Sequence, residues 1–214
     1  MSLILRLAAL AATALTLAAC YPDDITSAEE LDTVTTLFAQ QTDFGAIGTY
    51  VLVDSVVFID ADGEGGDDES DISHAFDDQI LATIRSNMNA AGYTEVSGPA
   101  ASTADIAMLA TTTSSTTVGI GYDWWYYWGW YPYWPGYGPG WGVGYPPVTI
   151  TYVYTTGTLL ITMLDAKNAD VANKQIPVLW IAAVNGVLTG GAQVSRVTDG
   201  IDQAFVQSPY IQAR

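Results

Sequence analysis

An amphipathic helix pattern set among β-branched segments is the feature that most constrains the fold of this chain. Around residues 73–91, apolar side chains recur at every fourth position: Ile72, Phe76, Ile80, Ile84 and Met88. This period predicts a helix that buries one face, and Gly92 follows where a helix commonly ends. A sheet is the expected partner of that face, because residues 49–59 are rich in Val, Ile and other strand-forming residues.

Three later segments predict further strands, and a second helix follows them. Strands are expected at residues 106–118, 148–164 and 178–188, with an interruption near Gly157, and a closing helix is expected at residues 195–206. This order of elements indicates an α+β domain whose two helices pack on a mainly antiparallel sheet. The sequence also predicts a long hairpin insert at residues 122–147, rich in aromatic residues, Gly and Pro.

Residues 1–19 have the form of a signal peptide. One charged residue, Arg6, precedes an apolar run that is too short to span a bilayer and that ends in small residues before Cys20. The letters LAAC resemble the lipobox of bacterial lipoproteins, which implies that Cys20 is lipidated. The alternative is an ordinary secretory signal that leaves Cys20 as a free thiol.

The lipobox divides the chain into a signal at residues 1–19, a lipidated N-terminus and tether at residues 20–42, and one α+β domain at residues 43–214. Within the tether, the helical spacing of Leu31, Val34, Leu37 and Phe38 indicates a short amphipathic piece. Tyr21 stands where an Asp would resemble the inner-membrane retention signal of enteric bacteria. We therefore expect a protein anchored in the outer membrane, with its domain in the periplasm.

Composition excludes several classes of function. The chain has 23 acidic and 6 basic residues and a net charge of −17, so it lacks the basic surface that nucleic-acid binding needs. One Cys and one His exclude zinc sites, haem attachment and thiol redox chemistry. His74 is the one side chain whose ordinary pKa lies near neutrality, and no GxSxG-type turn accompanies it. We expect a solvated His74 and a protein without catalytic activity.

The acidic loop, residues 60–71, carries seven carboxylates in twelve residues. In the register of a calcium-binding loop, the oxygen ligands fall at Asp60, Asp62, Glu64, Asp68 and Asp71. Position eight is Asp67 instead of an apolar residue, position twelve is Asp instead of Glu, and a predicted strand precedes the loop. A calcium site and a solvated acidic turn are both open, and calcium affinity is expected to be at most roughly millimolar. We expect no other cofactor.

The aromatic tract, residues 122–145, contains thirteen aromatic residues and a single charge, Asp123. Six of the chain's seven tryptophans lie in it: Trp124, Trp125, Trp128, Trp130, Trp134 and Trp141. Tryptophan and tyrosine are favoured at membrane interfaces, at protein interfaces and as platforms for sugar rings. We expect the tract to project between two strands and contact a membrane surface or an envelope protein. Binding to glycan or peptidoglycan is the alternative function, and packing of the rings on one another and on the sheet is the structural alternative.

A series of motifs runs in order through the chain. It comprises the lipobox, DFGAIGTY from Asp43, the helix ending in AAGY at Tyr93, the strand ADIAM, the aromatic insert, TTGTLLITMLDAKN, and VLW at Trp180. In this order the motifs resemble the bacterial lipoprotein family called domain of unknown function 4136. The resemblance implies the fold class and a location in the cell envelope. It implies no activity and no catalytic residue.

Overall fold

A computed structural model of the chain describes residues 34–59, 74–113, 119–120, 142–144, 150–151, 157–170, 172, 175–188 and 193–214. The strands in these residues are β1 (Val34–Phe38), β2 (Thr49–Ile59), β3 (Thr94–Glu95), β4 (Ile106–Thr113), β5 (Gly119–Ile120), β6 (Gly142–Gly144), β7 (Ile150–Thr151), β8 (Thr158–Asp165) and β9 (Gln175–Val184). The α-helices are α1 (Asp77–Ala90) and α2 (Val194–Val206), and short 3-10 turns span Phe44–Ala46, His74–Phe76 and Gly98–Thr103.

The main sheet has the strand order β1-β9-β8-β4-β2-β3. β1, β9, β8 and β4 pair antiparallel, whereas β4, β2 and β3 pair in parallel, so the sheet is mixed. The prediction of a mainly antiparallel sheet was therefore wrong, although the α+β class with two main helices is confirmed. The physical reason is the helix α1 between β2 and β4, because a crossover helix returns the chain to the end where the first strand began.

The register defines two ends of the sheet. Val34 pairs with Val184, which pairs with Leu159, and Thr113 pairs with both Thr158 and Ile59. We call this end of the strands the Val34 end. At the opposite end of the strands, which we call the Asp165 end, Ile106 pairs with both Asp165 and Tyr50.

Both helices pack on one face of the sheet, which we call the helix face. The buried stripe of α1 consists of Ile80, Leu81, Ile84 and Met88, and it shares a core cluster with Val197, Ile201 and Ala204 of α2. Trp180 of β9 is fully buried there, and its indole Nε1 donates a hydrogen bond to the hydroxyl of Ser208 at 2.9 Å. Its ring centroid lies 5.2 Å from that of Phe205.

A small residue sets the distance between α2 and the sheet. A Cβ at Gly200 of α2 would collide with the side chain of Val184 on β9. The helix therefore approaches the sheet more closely than any residue with a side chain would allow.

The hydroxyl of Tyr50 on β2 joins the sheet to α1 by donating to Asn89 Oδ1 at 3.0 Å. Burial raises the pKa of that phenol to about 12, with a further contribution from Glu95 that Arg85 partly offsets.

The other face of the sheet, which we call the second face, holds a separate buried cluster. Its members are Val53, Ala107, Leu109, Leu164, Ile176, Val178 and Ile181. All of them belong to β2, β4, β8 and β9, and neither helix contributes to the cluster. Because side chains alternate along a strand, Thr111 lies on this face and Thr112 on the helix face.

Most predicted elements are present with shifted ends. The helix expected at 195–206 is α2, and the one expected at 73–91 is α1 preceded by the 3-10 turn His74–Phe76. The interruption expected near Gly157 is confirmed, since β7 and β8 are separate strands and Gly157 has a φ of 81°. Val34–Phe38 is an edge strand of the sheet, so the helical character expected from its spacing was wrong.

β5 and β7 form a small antiparallel pair that brings together the chain on either side of the aromatic tract. β6, near the end of the tract, pairs in parallel with Gln175–Pro177 of β9. Residues 121–141 lie outside the described part of the chain, so the predicted hairpin stays a prediction.

Candidate functional site

A cleft of about 400 Å³ opens at the Asp165 end of the sheet and is the candidate site among the described residues. Three stretches of chain form it: the turn after β1, the residues before β4, and the turn after β8. Its apolar floor consists of Ala46, Ile47 and Leu179. Asp43, Asp105, Asp165 and Lys167 are the charged residues that line it.

Asp105 is the centre of the hydrogen-bond network in this cleft. Its Oδ2 accepts from the backbone N–H of Gly48 at 2.9 Å, the N–H of Thr49 at 3.0 Å and the hydroxyl of Thr49 at 3.1 Å. Its Oδ1 accepts from the ammonium of Lys167 at 2.9 Å. Burial of the carboxyl opposes its ionisation, but these donors outweigh that effect and lower the pKa of Asp105 to about 2. Asp105 is therefore a fixed carboxylate that joins the starts of β2 and β4 to the turn after β8.

The remaining charges of the cleft also have internal partners. Asp165 accepts from the backbone N–H of Asn168 at 3.0 Å and from its side-chain amide, which closes the turn after β8. Asp43 accepts from Gly45 N–H at 3.2 Å and pairs with Arg214 at 3.3 Å. The side chain of Lys167 is 65% exposed, and its hydrogen bond to Asp105 raises its pKa.

The charged groups of this cleft are engaged in hydrogen bonds and ion pairs within the protein. The pKa of Asp105 is lowered away from neutrality, so this carboxyl would work poorly as a general acid or base there. In the described part of the chain, no group of three or more His, Cys, Asp or Glu residues is placed to hold a metal ion. The carboxylates act on the backbone of the cleft, so its geometry is that of a structural junction.

The residues that the sequence predicts for a site are not among those that line this cleft in the described part of the chain. Cys20, the calcium-loop residues Asp60, Asp62, Glu64, Asp68 and Asp71, and the tryptophans Trp124, Trp125, Trp128, Trp130, Trp134 and Trp141 all lie outside the described residues. His74 begins the 3-10 turn before α1, and its side chain is likewise outside what the structure describes. The predictions for these residues remain predictions.

Sequence reasoning missed the Asp105 network. Asp105 and Thr49 are 56 residues apart, and nothing in the local pattern around either one links them. The available signal was the position of Asp105 immediately before a predicted strand, where a carboxylate can accept from the backbone of a neighbouring strand.

No helix among the described residues is both long enough and apolar enough to cross a membrane.

Comparisons with known proteins bear on the fold. One crystal structure, of a DUF4136 family protein from Bacteroides thetaiotaomicron, is 30% identical with a TM-score of 0.65, and the match covers 86% of this chain and 98% of that one.

Two structures of a PelC dodecamer from Paraburkholderia phytofirmans, one of them a point variant, are 12% identical to this chain. The variant matches with a TM-score of 0.41 over 86% of this chain and 99% of its own. The other matches with a TM-score of 0.37 over 85% and 99%. Scores this low carry no inference about this protein.

A comparison with curated proteins gave no match. The sequence profile of the family described as "Domain of unknown function (DUF4136)" matches residues 34–210. That span begins at β1 and includes every strand and both helices described above. With this match and the Bacteroides structure at 30% identity, the chain belongs to the DUF4136 family.

Proposed function

We propose that this protein is a non-catalytic lipoprotein of the bacterial cell envelope, held by a lipid on Cys20. We propose further that its aromatic tract contacts a membrane surface or an envelope partner. The location that fits this function best is the outer membrane, with the domain in the periplasm.

The observation that carries this proposal is the arrangement of chain at the Val34 end of the sheet. Val34, the first residue that the structure describes, pairs with Val184, and Val184 pairs with Leu159. Thr113 is the last residue of β4, and the chain leads from it toward the aromatic tract. It pairs with Thr158, which is next to Leu159 in β8. The chain before Val34 and the chain that leads into the tract therefore leave the sheet from the same end.

This arrangement would bring the tract close to an anchored lipid. A flexible stretch the length of residues 20–33 has a root-mean-square reach of about 20 Å. A lipid on Cys20 would hold the Val34 end within that distance of the bilayer and raise the effective concentration of the tract at its surface. The Asp165 end, with its cleft, would face away from the membrane.

The tract has the composition to use this proximity. Two or three large side chains buried at a membrane interface or in a partner groove would contribute about 3 to 9 kcal/mol before ordering costs. Trp and Tyr suit that interface because one part of each ring is apolar and another is polar. The acidic loop also follows the Val34 end, after Ile59, and we propose at most weak calcium binding for it.

Two experiments test the proposal. The first compares the wild type with Cys20→Ser by membrane fractionation and palmitate labelling. We expect the label and the membrane recovery to be lost in the variant. Unchanged recovery without any label on the wild type would exclude the lipid anchor.

The second experiment tests the tract in the mature chain carrying Cys20→Ser. Flotation with phospholipid vesicles compares this chain with one in which residues 123–144 are replaced by a Gly/Ser linker. Trp180→Phe is the matched control, since it removes the one tryptophan outside the tract. We expect binding by the parent and the control and none by the replacement. Binding to insoluble peptidoglycan without vesicle binding would favour the glycan alternative instead.

A further inference from the structure

We infer that part of the aromatic tract packs on the second face of the sheet and forms a layer opposite the two helices. The second face is then an interaction surface whose occupant is a segment of the same chain. This inference goes beyond the proposed function, which concerns the rings that contact a membrane or partner.

The first observation is the burial of the second face. Ala107 is fully buried, Leu109 is 3% exposed and Ile181 is 5% exposed. The apolar cluster on this face contains side chains of the sheet itself, with the helices on the other side. A flat sheet face does not bury its own side chains, so another part of the chain must cover them.

The second observation is the path of the chain between β4 and β8. β4 ends with Thr113 and β8 begins with Thr158, both at the Val34 end. Between them, β6 pairs with Gln175–Pro177 of β9, at the Asp165 end. The chain therefore travels the length of the sheet before Gly142 and returns after Gly144.

The available lengths allow this path over the face. A strand of eight residues, such as β8, is about 26 Å long at about 3.3 Å per residue. The residues between Ile120 and Gly142 can extend over more than twice that length, and those between Gly144 and Thr158 can also span it. The tract consequently has enough chain to cross the face with residues to spare.

Composition favours the tract over the acidic loop as the occupant of this face. The acidic loop carries seven carboxylates, and burying it against apolar side chains would cost the hydration of those charges. The tract has thirteen aromatic residues and one charge. Its apolar rings match a face built from Val, Leu, Ile and Ala.

Two buried hydroxyls on the second face could accept a hydrogen bond from this occupant. Thr111 and Thr162 are buried, and within the described residues their hydroxyl oxygens have no hydrogen-bond partner. An indole N–H or a phenol O–H is a suitable donor for a buried hydroxyl oxygen. Trp180 makes this kind of bond to Ser208 on the helix face.

The face cannot hold the whole tract. Four strands about 4.8 Å apart, each covered over about 20 Å, present roughly 400 Å². Aromatic side chains bury about 150 to 250 Å² each, so thirteen of them carry several times that area. Rings that do not fit on the face remain for the contact proposed above.

Disulfide trapping tests the inference on the mature chain carrying Cys20→Ser. Thr111→Cys places a thiol on the second face, and Thr112→Cys, the adjacent buried threonine, places one on the helix face as the matched control. Each is combined with a single Cys at one of the six tract tryptophans in turn. Disulfides require Cα atoms within about 7 Å, so we expect at least one pair with Thr111→Cys and none with Thr112→Cys. No pair with Thr111→Cys, or equal trapping at both positions, would overturn the inference.

Tryptophan fluorescence gives a second test that needs no new cysteine. In Trp180→Phe, all remaining tryptophans belong to the tract. We expect emission shifted to the blue of the unfolded chain and several-fold less quenching by acrylamide. Emission and quenching equal to those of the unfolded chain would contradict the inference. Neither test involves a membrane, so failure here leaves the vesicle experiment, and the proposed function, to stand or fall separately.

Discussion

The two faces of the sheet are both buried but are covered in different ways. On the helix face, α1 and α2 present regular stripes of Ile, Leu, Val and Met to the strands. On the second face, neither α1 nor α2 contributes to the apolar cluster, which is of similar character. Helical periodicity accounts for the layer on the helix face. On our inference, the layer on the second face is part of the aromatic tract, whose rings follow no single period.

Substitution of Trp180 tests the packing of the helix face and should change the free energy of unfolding the most. Trp180→Ala should lower the free energy of unfolding by about 3 to 5 kcal/mol, because it leaves a large cavity and removes the bond to Ser208. Urea denaturation followed by circular dichroism measures the change. Val206→Ala is the control, since that side chain is 71% exposed and should alter stability by less than about 0.5 kcal/mol. A loss of less than about 1 kcal/mol for Trp180→Ala would show that the helix face is not the main core.

The next effect tests the second face. Replacing residues 123–144 with a Gly/Ser linker should lower the free energy of unfolding by at least about 2 kcal/mol, because apolar side chains such as Leu109 and Ile181 become exposed. Binding of a hydrophobic dye should increase in parallel. An unchanged melting temperature would mean that the tract projects freely and does not cover the second face.

A glycine on the helix face provides a sharper test of its packing. Gly200→Ala improves helix propensity by about 1 kcal/mol, yet it should destabilise the protein by about 1 to 3 kcal/mol because the new methyl group collides with Val184. In the background of Val184→Ala, the same substitution should be neutral or stabilising. Thermal melts of the four proteins in this cycle decide the point. Additive effects would indicate that α2 does not approach the sheet as closely as described.

Substitution of Asp105 tests the junction that joins the starts of β2 and β4 to the turn after β8. Its pKa of about 2 lies below the ordinary value of 3.8, so its contribution to stability is full above that value and is lost as the pH falls toward 2. Asp105→Asn should cost about 1 to 2 kcal/mol near neutral pH and flatten the loss of stability between about pH 4 and 2. Denaturation curves across this range measure it, and an unchanged pH profile would contradict the assigned role.

Removing the hydroxyl of Thr111 or of Thr112 compares the two faces directly and should change the free energy of unfolding the least. Thr112→Val removes a hydroxyl on the helix face that has no hydrogen-bond partner within the described residues, and should be neutral or slightly stabilising. Thr111→Val removes a hydroxyl that we expect the tract to bond, and should cost up to about 1 kcal/mol. If both substitutions stabilise the protein equally, the hydroxyl of Thr111 has no partner in the covering layer.

The sequence was sufficient to predict the elements whose pattern is local. The stripe from Ile80 to Met88 and the helix ending at Val206 were recognised because helical periodicity needs no distant partner. The strand at Thr49–Ile59 was recognised from its β-branched residues. Its parallel pairing with β4 was missed, because pairing direction depends on where the crossover helix returns the chain.

Edges and junctions escaped prediction for a different reason. Val34–Phe38 is an edge strand whose side chains are half-buried except for the exposed Phe38, and its three apolar residues, together with Leu31, fit a helical spacing. The Asp105 cleft joins segments that are far apart in sequence, so no local pattern indicates it. The predicted Cys20 anchor, acidic loop and aromatic tract rest on the sequence alone.

The position of β1 has a mechanical consequence. It is the first strand in the described part of the chain, and five consecutive residues pair it with β9, with Val34 opposite Val184 and Phe38 opposite Trp180. If a lipid pulls on the chain before Val34 while a partner grips the Asp165 end, the force runs along β1. The ladder is then loaded in shear, and its hydrogen bonds, which lie perpendicular to the strands, resist together instead of opening one after another. An anchored domain of this kind would withstand tension at its tether better than one attached through a loop.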